Sequence, residues 1–269
     1  MPRKIPTRMR CLRSIFKWDL VLNKDLEFDI LIAGLRLRIQ CLYSDTRRLC
    51  QAYIVENTDT VDDIIVITPA DIEQERCRLL QKKNPGELLE ASTPDKLEML
   101  HLCRRIAELL PRYDRLLFHG SSLAVDGRGV LFTAKSGTGK STHTRLWREQ
   151  FGDRVKMVND DKPFLHIGEH GVTVYGTPWR GKHGLGENIS APLEAIYFLN
   201  RGEKNRVETV SPRELYPVLL QQTYTPDDPR TMVHTLALVE RLSRNVKLFK
   251  LYCNMDPQAA HVALEAIEN

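Results

Sequence analysis

The sequence predicts an α/β protein, a mixed sheet with helices packed on it, preceded by a small α/β subdomain. Three observations carry this. Short β-prone runs alternate with longer stretches of helical spacing along most of the chain. Between Val130 and Trp147 an apolar run, VLFTA, passes through a glycine-interrupted loop, KSGTGKS, into a helix-compatible stretch. At 269 residues the chain can bury a proper core, as one α/β domain or as a main domain with a smaller one appended.

Residues 1 to 90 read as the small subdomain and residues 91 to 269 as the larger domain. The chain opens on a basic arm, in which Arg3, Lys4, Arg8, Arg10, Arg13 and Lys17 precede the first acid, Asp19. Such an arm attracts acidic peptides, nucleic acid or membrane surfaces, and a frayed solvated terminus has the same composition. EFDILIAGLRLRIQC reads as two strands across Gly34, with Leu35, Leu37 and Ile39 alternating with Arg36, Arg38 and Gln40 as in a half-exposed sheet. Strands are expected at 52–55 and 64–68, and a helix opens near Pro69 and Ala70. Asn84, Pro85 and Gly86 mark a break, after which STPDKLEML restarts a helix capped by Ser92 or Thr93.

In the larger domain RLLFHG predicts a strand ending at His119 and Gly120. Two further strands are joined across Asp126, Gly127 and Arg128, where the Asp-Gly pair is a strong hairpin signal. After the glycine loop, Thr142 pairs with Leu146 and Trp147 with Phe151 at helical spacing, and Gly152 stops the helix. VKMVN is a short strand, GEHG joins strands at 163–167 and 172–175, and AIYFL is a buried strand at 195–199. Helices follow at 211–222 and 230–243, separated by TYTPDDP, whose prolines and acids cannot continue a helix. KLFKLYC is a late strand and 257–267 a closing helix.

The glycine loop has the residue types of a phosphate-binding loop, in the relaxed form AxxxxGKS because Ala134 stands where glycine usually opens the motif. Gly137 and Gly139 let the backbone curl so that N–H groups of Ser136 to Thr142, Thr138 among them, turn toward a polyphosphate. Lys140 reaches β and γ oxygens, and Ser141 offers a hydroxyl to Mg²⁺. Downstream, Asn159, Asp160 and Asp161 end a short apolar strand, where nucleotide-binding α/β folds keep a metal carboxylate. Two adjacent acids can divide the work, one holding Mg²⁺ and the other taking a proton from a hydroxyl. The competing reading is a strand-to-loop turn in which Asp and Asn cap backbone groups.

His119-Gly120, the hairpin, AKSGTGKS and the NDD segment occur in the order and rough spacing of the HPr kinase/phosphorylase and phosphoenolpyruvate carboxykinase-like family, which this chain resembles. The strings HGSSLAVDG, SGTGKSTHTRLW, NDDKP, YGTPWRGKH and LYCNMDPQAA are similar to HPr-kinase-related proteins associated with modified bacterial peptides. The likeness runs from about residue 115 to the C-terminus. It implies an HPr kinase-like nucleotide-binding fold with ATP and Mg²⁺ as cofactors. Lys140 and Ser141 would bind phosphates and Mg²⁺, Asp160 would be the general base, Asp161 a metal ligand, and His119 would sit near the transferring phosphate. Arg180 stands where that family carries an Arg-Gly-rich signature, although the text here is WRGKHGLGEN, with extra residues before the second glycine pair. Arg180 or Lys182 could neutralise charge on the equatorial oxygens.

The implied activity is an ATP-dependent kinase acting on a hydroxyl, with serine of a peptide or small protein as acceptor. A small-molecule hydroxyl kinase would use the same groups; a carboxykinase-type lyase or a non-catalytic nucleotide-binding regulator are further classes to separate from it. The family's hexamers and smaller assemblies leave a homo-oligomer open. A net charge of +4 without interleaved aromatics gives nucleic acid little support. No apolar stretch is long enough to span a bilayer and no secretion-signal run opens the chain, so the expected location is the cytoplasm. Cys11, Cys41, Cys50, Cys77, Cys103 and Cys253 form no CxxC or Cys/His pattern, which argues for reduced, packed thiols rather than a zinc site or disulfide framework.

Overall fold

The computed structural model describes residues 26–81, 92–135 and 137–268. The basic arm, the break at Asn84 to Gly86, the expected boundary near residue 90 and Ser136 lie outside the described residues. Those described fall into two compact units, one of residues 26–30 with 36–102, the other of residues 31–35 with 103–268.

The first sheet has the strand order β3-β1-β2-β4, formed by β1 (Glu27–Ile32), β2 (Leu35–Gln40), β3 (Ile54–Val55) and β4 (Asp63–Val66). The alternation read in β2 is present: Leu35, Leu37 and Ile39 are buried, while Arg36, Arg38 and Gln40 are half-buried. A short helix, α1 (Ser44–Leu49), was not expected, because SDTRRL is too brief and polar to show a period. Helix α2 (Pro69–Leu80) begins with proline in its first turn, and the Asp71 carboxylate accepts the Thr68 N–H at 2.8 Å. In α3 (Pro94–Leu109) the Leu97 N–H bonds the Thr93 carbonyl at 3.0 Å, which makes Thr93 rather than Ser92 the cap position. Buried Glu98 on that helix accepts the N–H groups of Leu42 and Tyr43 and the Thr46 hydroxyl, so its lone pairs are satisfied without a cation.

The second unit is built on nine strands. Their order is β5 (Arg115–Leu117), β9 (Phe164–Ile167), β10 (Val172–Tyr175), β11 (Ser190–Arg201), β7 (Arg128–Thr133), β6 (Ser121–Val125) and β8 (Val155–Asn159), with β13 (Lys247–Cys253) also on β11 and β12 (Arg206–Thr209) on β13. β7, β11 and β13 run parallel, while β6 lies antiparallel to both β7 and β8, giving the mixed sheet expected of an α/β nucleotide-binding fold. The Asp-Gly hairpin is a two-residue turn with Asp126 and Gly127 both at positive φ, 50° and 79°.

Alternate residues of the central strands serve opposite faces. Val130, Phe132, Tyr197 and Phe249 pack with Leu146, Trp147 and Phe151 of α4 (Lys140–Phe151) and with Ala259, Ala260, Ala263 and Leu264 of α7 (Gln258–Glu268). Leu131, Ile196, Phe198 and Leu248 face Leu215 and Leu219 of α5 (Pro212–Gln222) and Leu238, Val239 and Leu242 of α6 (Pro229–Asn245). The result is helix, sheet, helix, with the glycine loop leaving the end of a strand buried on both sides. No helix among the described residues is long and apolar enough to cross a membrane. Cys41, Cys50, Cys103 and Cys253 are in no disulfide.

Candidate active site

Thr133 ends β7, and its hydroxyl donates to the His119 carbonyl at 3.1 Å, fastening the strand end to the segment before β6. The loop that follows turns sharply, with the Thr138 N–H on the Lys135 carbonyl at 3.2 Å. Gly137 and Gly139 take φ of 76° and 122°, a region L side chains avoid, and a Cβ on either would meet nothing within 4 Å. Backbone conformation therefore requires these glycines, and the space beside them is open. Helix α4 starts at Lys140, where the Gly139 carbonyl accepts the His143 N–H at 2.9 Å. The first N–H groups of the helix have no intrahelical acceptor, and with the dipole they make this end a site for anions.

The acids are set by Asn159, a buried residue. Its Oδ1 accepts the N–H groups of Asp161 at 2.8 Å and Lys162 at 2.6 Å, and its Nδ2 donates to the Thr177 and Trp179 carbonyls and the Thr177 hydroxyl. The capping interpretation of this segment thus holds for Asn159 and also for Asp160, which takes backbone N–H groups of the 181–185 turn, while Asp161 meets side chains. Asp160 is nearly buried, its Oδ1 accepting the Gly181 N–H at 2.6 Å and its Oδ2 the Leu185 N–H at 3.4 Å. Asp161 is half-buried, with Lys162 Nζ on one oxygen and His119 Nε2 at 3.5 Å from the other. Ser121 donates to the Asp160 carbonyl at 2.9 Å, and the Gly120 N–H bonds the Asp161 carbonyl at 3.0 Å, which brings the HGSS and NDD strings side by side.

These elements enclose a cavity of about 540 Å³ lined by His119, Gly137, Gly139, Lys140, Ser141, Thr142, Asp160, Asp161, Gly181, Lys182 and His183. That volume is within the usual range for small-ligand sites. Burial holds the Lys140 ammonium below its ordinary pKa against the opposing pull of Asp161. Burial, then the neighbouring Lys140 charge, lowers His119, with Asp161 and Gln222 acting the other way, so the imidazole is neutral at neutral pH. Lys140 Nζ rests on the Ala134 carbonyl at 3.3 Å.

Most sequence-predicted residues meet in this cavity. Arg180 does not line it: its exposed guanidinium lies 3.4 Å from the Gly184 carbonyl, and the lining comes from Gly181, Lys182 and His183 instead. Thr138 shapes the turn without lining the cavity. Besides the lining residue His183, three residues at the site had no role assigned from sequence. Lys162 pairs with Asp161; Arg201, at the end of β11, donates to the Gly137 carbonyl at 2.9 Å; Gln222, at the end of α5, bonds His119 Nδ1 at 3.0 Å. Lys162 adjoins the acids in sequence and could have been noticed; Arg201 and Gln222 reach the site only through sheet and helix packing.

No protein-family model matches the chain, and no curated protein matches it. Among solved structures it is similar to the HPr(Ser) kinase/phosphatase from Coxiella burnetii, with 11% identity, a TM-score of 0.32, and coverage of 56% of this chain and 95% of that one. A likeness of that degree speaks to neither activity nor ligand.

Proposed function

We propose that this protein is a phosphotransferase that moves the γ-phosphoryl group of ATP·Mg²⁺ to a hydroxyl, serine of a peptide or small protein being the acceptor. The observation that carries the donor half is the convergence of Lys140, the start of α4 and the Asp160-Asp161 pair in one cavity. The serine acceptor rests on the resemblance of the surrounding sequence strings.

The residues suit a polyphosphate with a divalent cation. Lys140, the α4 N-terminus and the open space over Gly137 and Gly139 provide positive potential and room for phosphate oxygens. Among the described residues no cluster of three His, Cys, Asp or Glu could hold a metal ion alone. That suits Mg²⁺, which takes one or two protein ligands and completes its shell with phosphates and water. Ser141 and Asp161 would be those ligands, and the bound ion would offset charge on the phosphate oxygens during transfer.

The chain's own part is positioning and proton handling. Asp160 is the proton acceptor for the incoming hydroxyl; its Oδ1 is engaged by the short Gly181 contact, and Oδ2, with the longer contact, is the oxygen that receives the proton. Lys182, and Arg180 if its loop closes, would offset charge on the equatorial oxygens. Lys162, paired with Asp161, would compete with a bound Mg²⁺ for that carboxylate. The test is incubation with γ-labelled ATP and Mg²⁺ beside serine-containing peptides and, separately, free hydroxyl metabolites. Label in phosphoserine supports the proposal; label confined to a metabolite replaces the peptide acceptor with a small molecule; label transferred to neither, with no ATP·Mg²⁺ binding, removes the kinase reading.

A further inference from the structure

The segment leaving α5 runs beside the end of β5 and the residues up to His119. The Tyr224 N–H bonds the Leu117 carbonyl at 2.9 Å, Phe118 and Thr223 form an antiparallel bridge, and the His119 N–H bonds the Gln222 carbonyl at 2.7 Å. Gln222 then makes a second, side-chain contact with the same residue, its Oε1 lying 3.0 Å from His119 Nδ1. An amide oxygen only accepts, so this contact requires the proton on Nδ1. Nε2 stands 3.5 Å from Asp161 Oδ1. His119 and Asp161 both line the cavity.

We infer that Gln222 is a positioning residue that fixes the tautomer and ring direction of His119 in the cavity wall. The effect on ADP formation rests on the phosphotransferase reading; the tautomer does not. Gln222 touches none of the reacting groups itself and acts through the imidazole. The sequence shows no trace of the relation, because seven strands, β6 to β12, and helix α4 lie between His119 and α5, whose last residue is Gln222.

The experiment is long-range ¹H–¹⁵N correlation of the histidine rings in the full chain at mildly alkaline pH, with His119 assigned by His119→Gln. It is paired with ATP·Mg²⁺ titration and ADP formation in wild type, Gln222→Leu and Gln222→Glu. The expected result is an Nδ1–H tautomer in wild type and Gln222→Glu, and a mixed or Nε2–H ring in Gln222→Leu. ADP formation in Gln222→Leu should fall by up to about 10²-fold with ATP·Mg²⁺ affinity unchanged, as for a misdirected group. An Nε2–H ring in wild type would mean that the glutamine presents its amide N–H, and would overturn the inference. So would an unchanged tautomer in Gln222→Leu. If wild type binds no ATP·Mg²⁺, the phosphotransferase reading fails while the ring spectrum still decides the tautomer.

Discussion

Asp160 and Asp161 are neighbours in the chain with different surroundings, and their variants should fail differently. Asp160 is nearly buried and accepts two backbone N–H groups from the 181–185 turn. Asp160→Asn places an amide where both oxygens now accept, and one N–H of the turn loses its partner. We expect a stability loss of about 1–3 kcal/mol by thermal unfolding, together with a fall in turnover of about 10²-fold or more. Asp161 faces a lysine and an imidazole. Asp161→Asn should leave the melting temperature nearly unchanged and raise the Mg²⁺ concentration needed for half-maximal turnover. If excess Mg²⁺ rescues both variants equally, the division of roles is wrong. At this scale the sequence shows the residue types well, since Lys140, Ser141 and the aspartates sit in contiguous strings. What each one touches depends on Asn159, Gly181 and Gln222, whose part is tertiary.

Elements explain where reading by pattern stopped. AIYFL marks only the middle of the twelve-residue β11, because its flanks include Pro192, Glu194, Asn200 and Arg201. Those flanks are strand all the same: residues 190–192 pair with β10, and 195–201 lie beside β13. RVET, half-exposed and polar, forms β12 only because β13 offers an edge. The helix after the glycine loop was legible throughout, as its apolar positions are spaced for one face. Trp147 there is fully buried against Phe132 and Phe151, so Trp147→Ala should cost about 3–5 kcal/mol in chemical denaturation. Gly176 tests the other wall of the site. A Cβ there would stand 1.9 Å from the Glu187 carbonyl oxygen, so Gly176→Ala must displace the segment that carries Gly186 against Asn159. The expected outcome is reduced stability and weaker ATP·Mg²⁺ binding together, and a stable variant with normal binding would show that this segment does not support the cavity.

For the whole molecule, the α/β class and mixed sheet follow from alternation and hairpin signals. The described residues divide within α3, between residues 102 and 103, where a continuous helix gives no compositional sign of a boundary. In the first unit, buried Asp29 is held below the usual carboxylate pKa mainly by its hydrogen bonds to Arg38, at 2.8 and 3.1 Å. A lowered folded pKa contributes stability above the unfolded value of about 3.9 that is lost as pH falls through the folded value. Asp29→Asn should therefore lower the melting temperature at neutral pH and flatten its acid dependence; an unchanged profile would show that the pair contributes nothing. The basic arm at residues 2–17 is tested by deletion, which should weaken peptide phosphorylation more than ATP hydrolysis if the arm holds the acceptor, with added salt mimicking the loss.

On the proposed function, Lys140 and the start of α4 would hold the phosphates of ATP·Mg²⁺. Calorimetric titration of wild type and Lys140→Ala with ATP·Mg²⁺ reads this without knowledge of the acceptor. The predicted result is saturable binding by wild type and at least about tenfold weaker binding by the variant, the equivalent of roughly 1.4 kcal/mol, with its unfolding transitions unchanged. Equal affinity in the two proteins, or no binding by wild type, would contradict it.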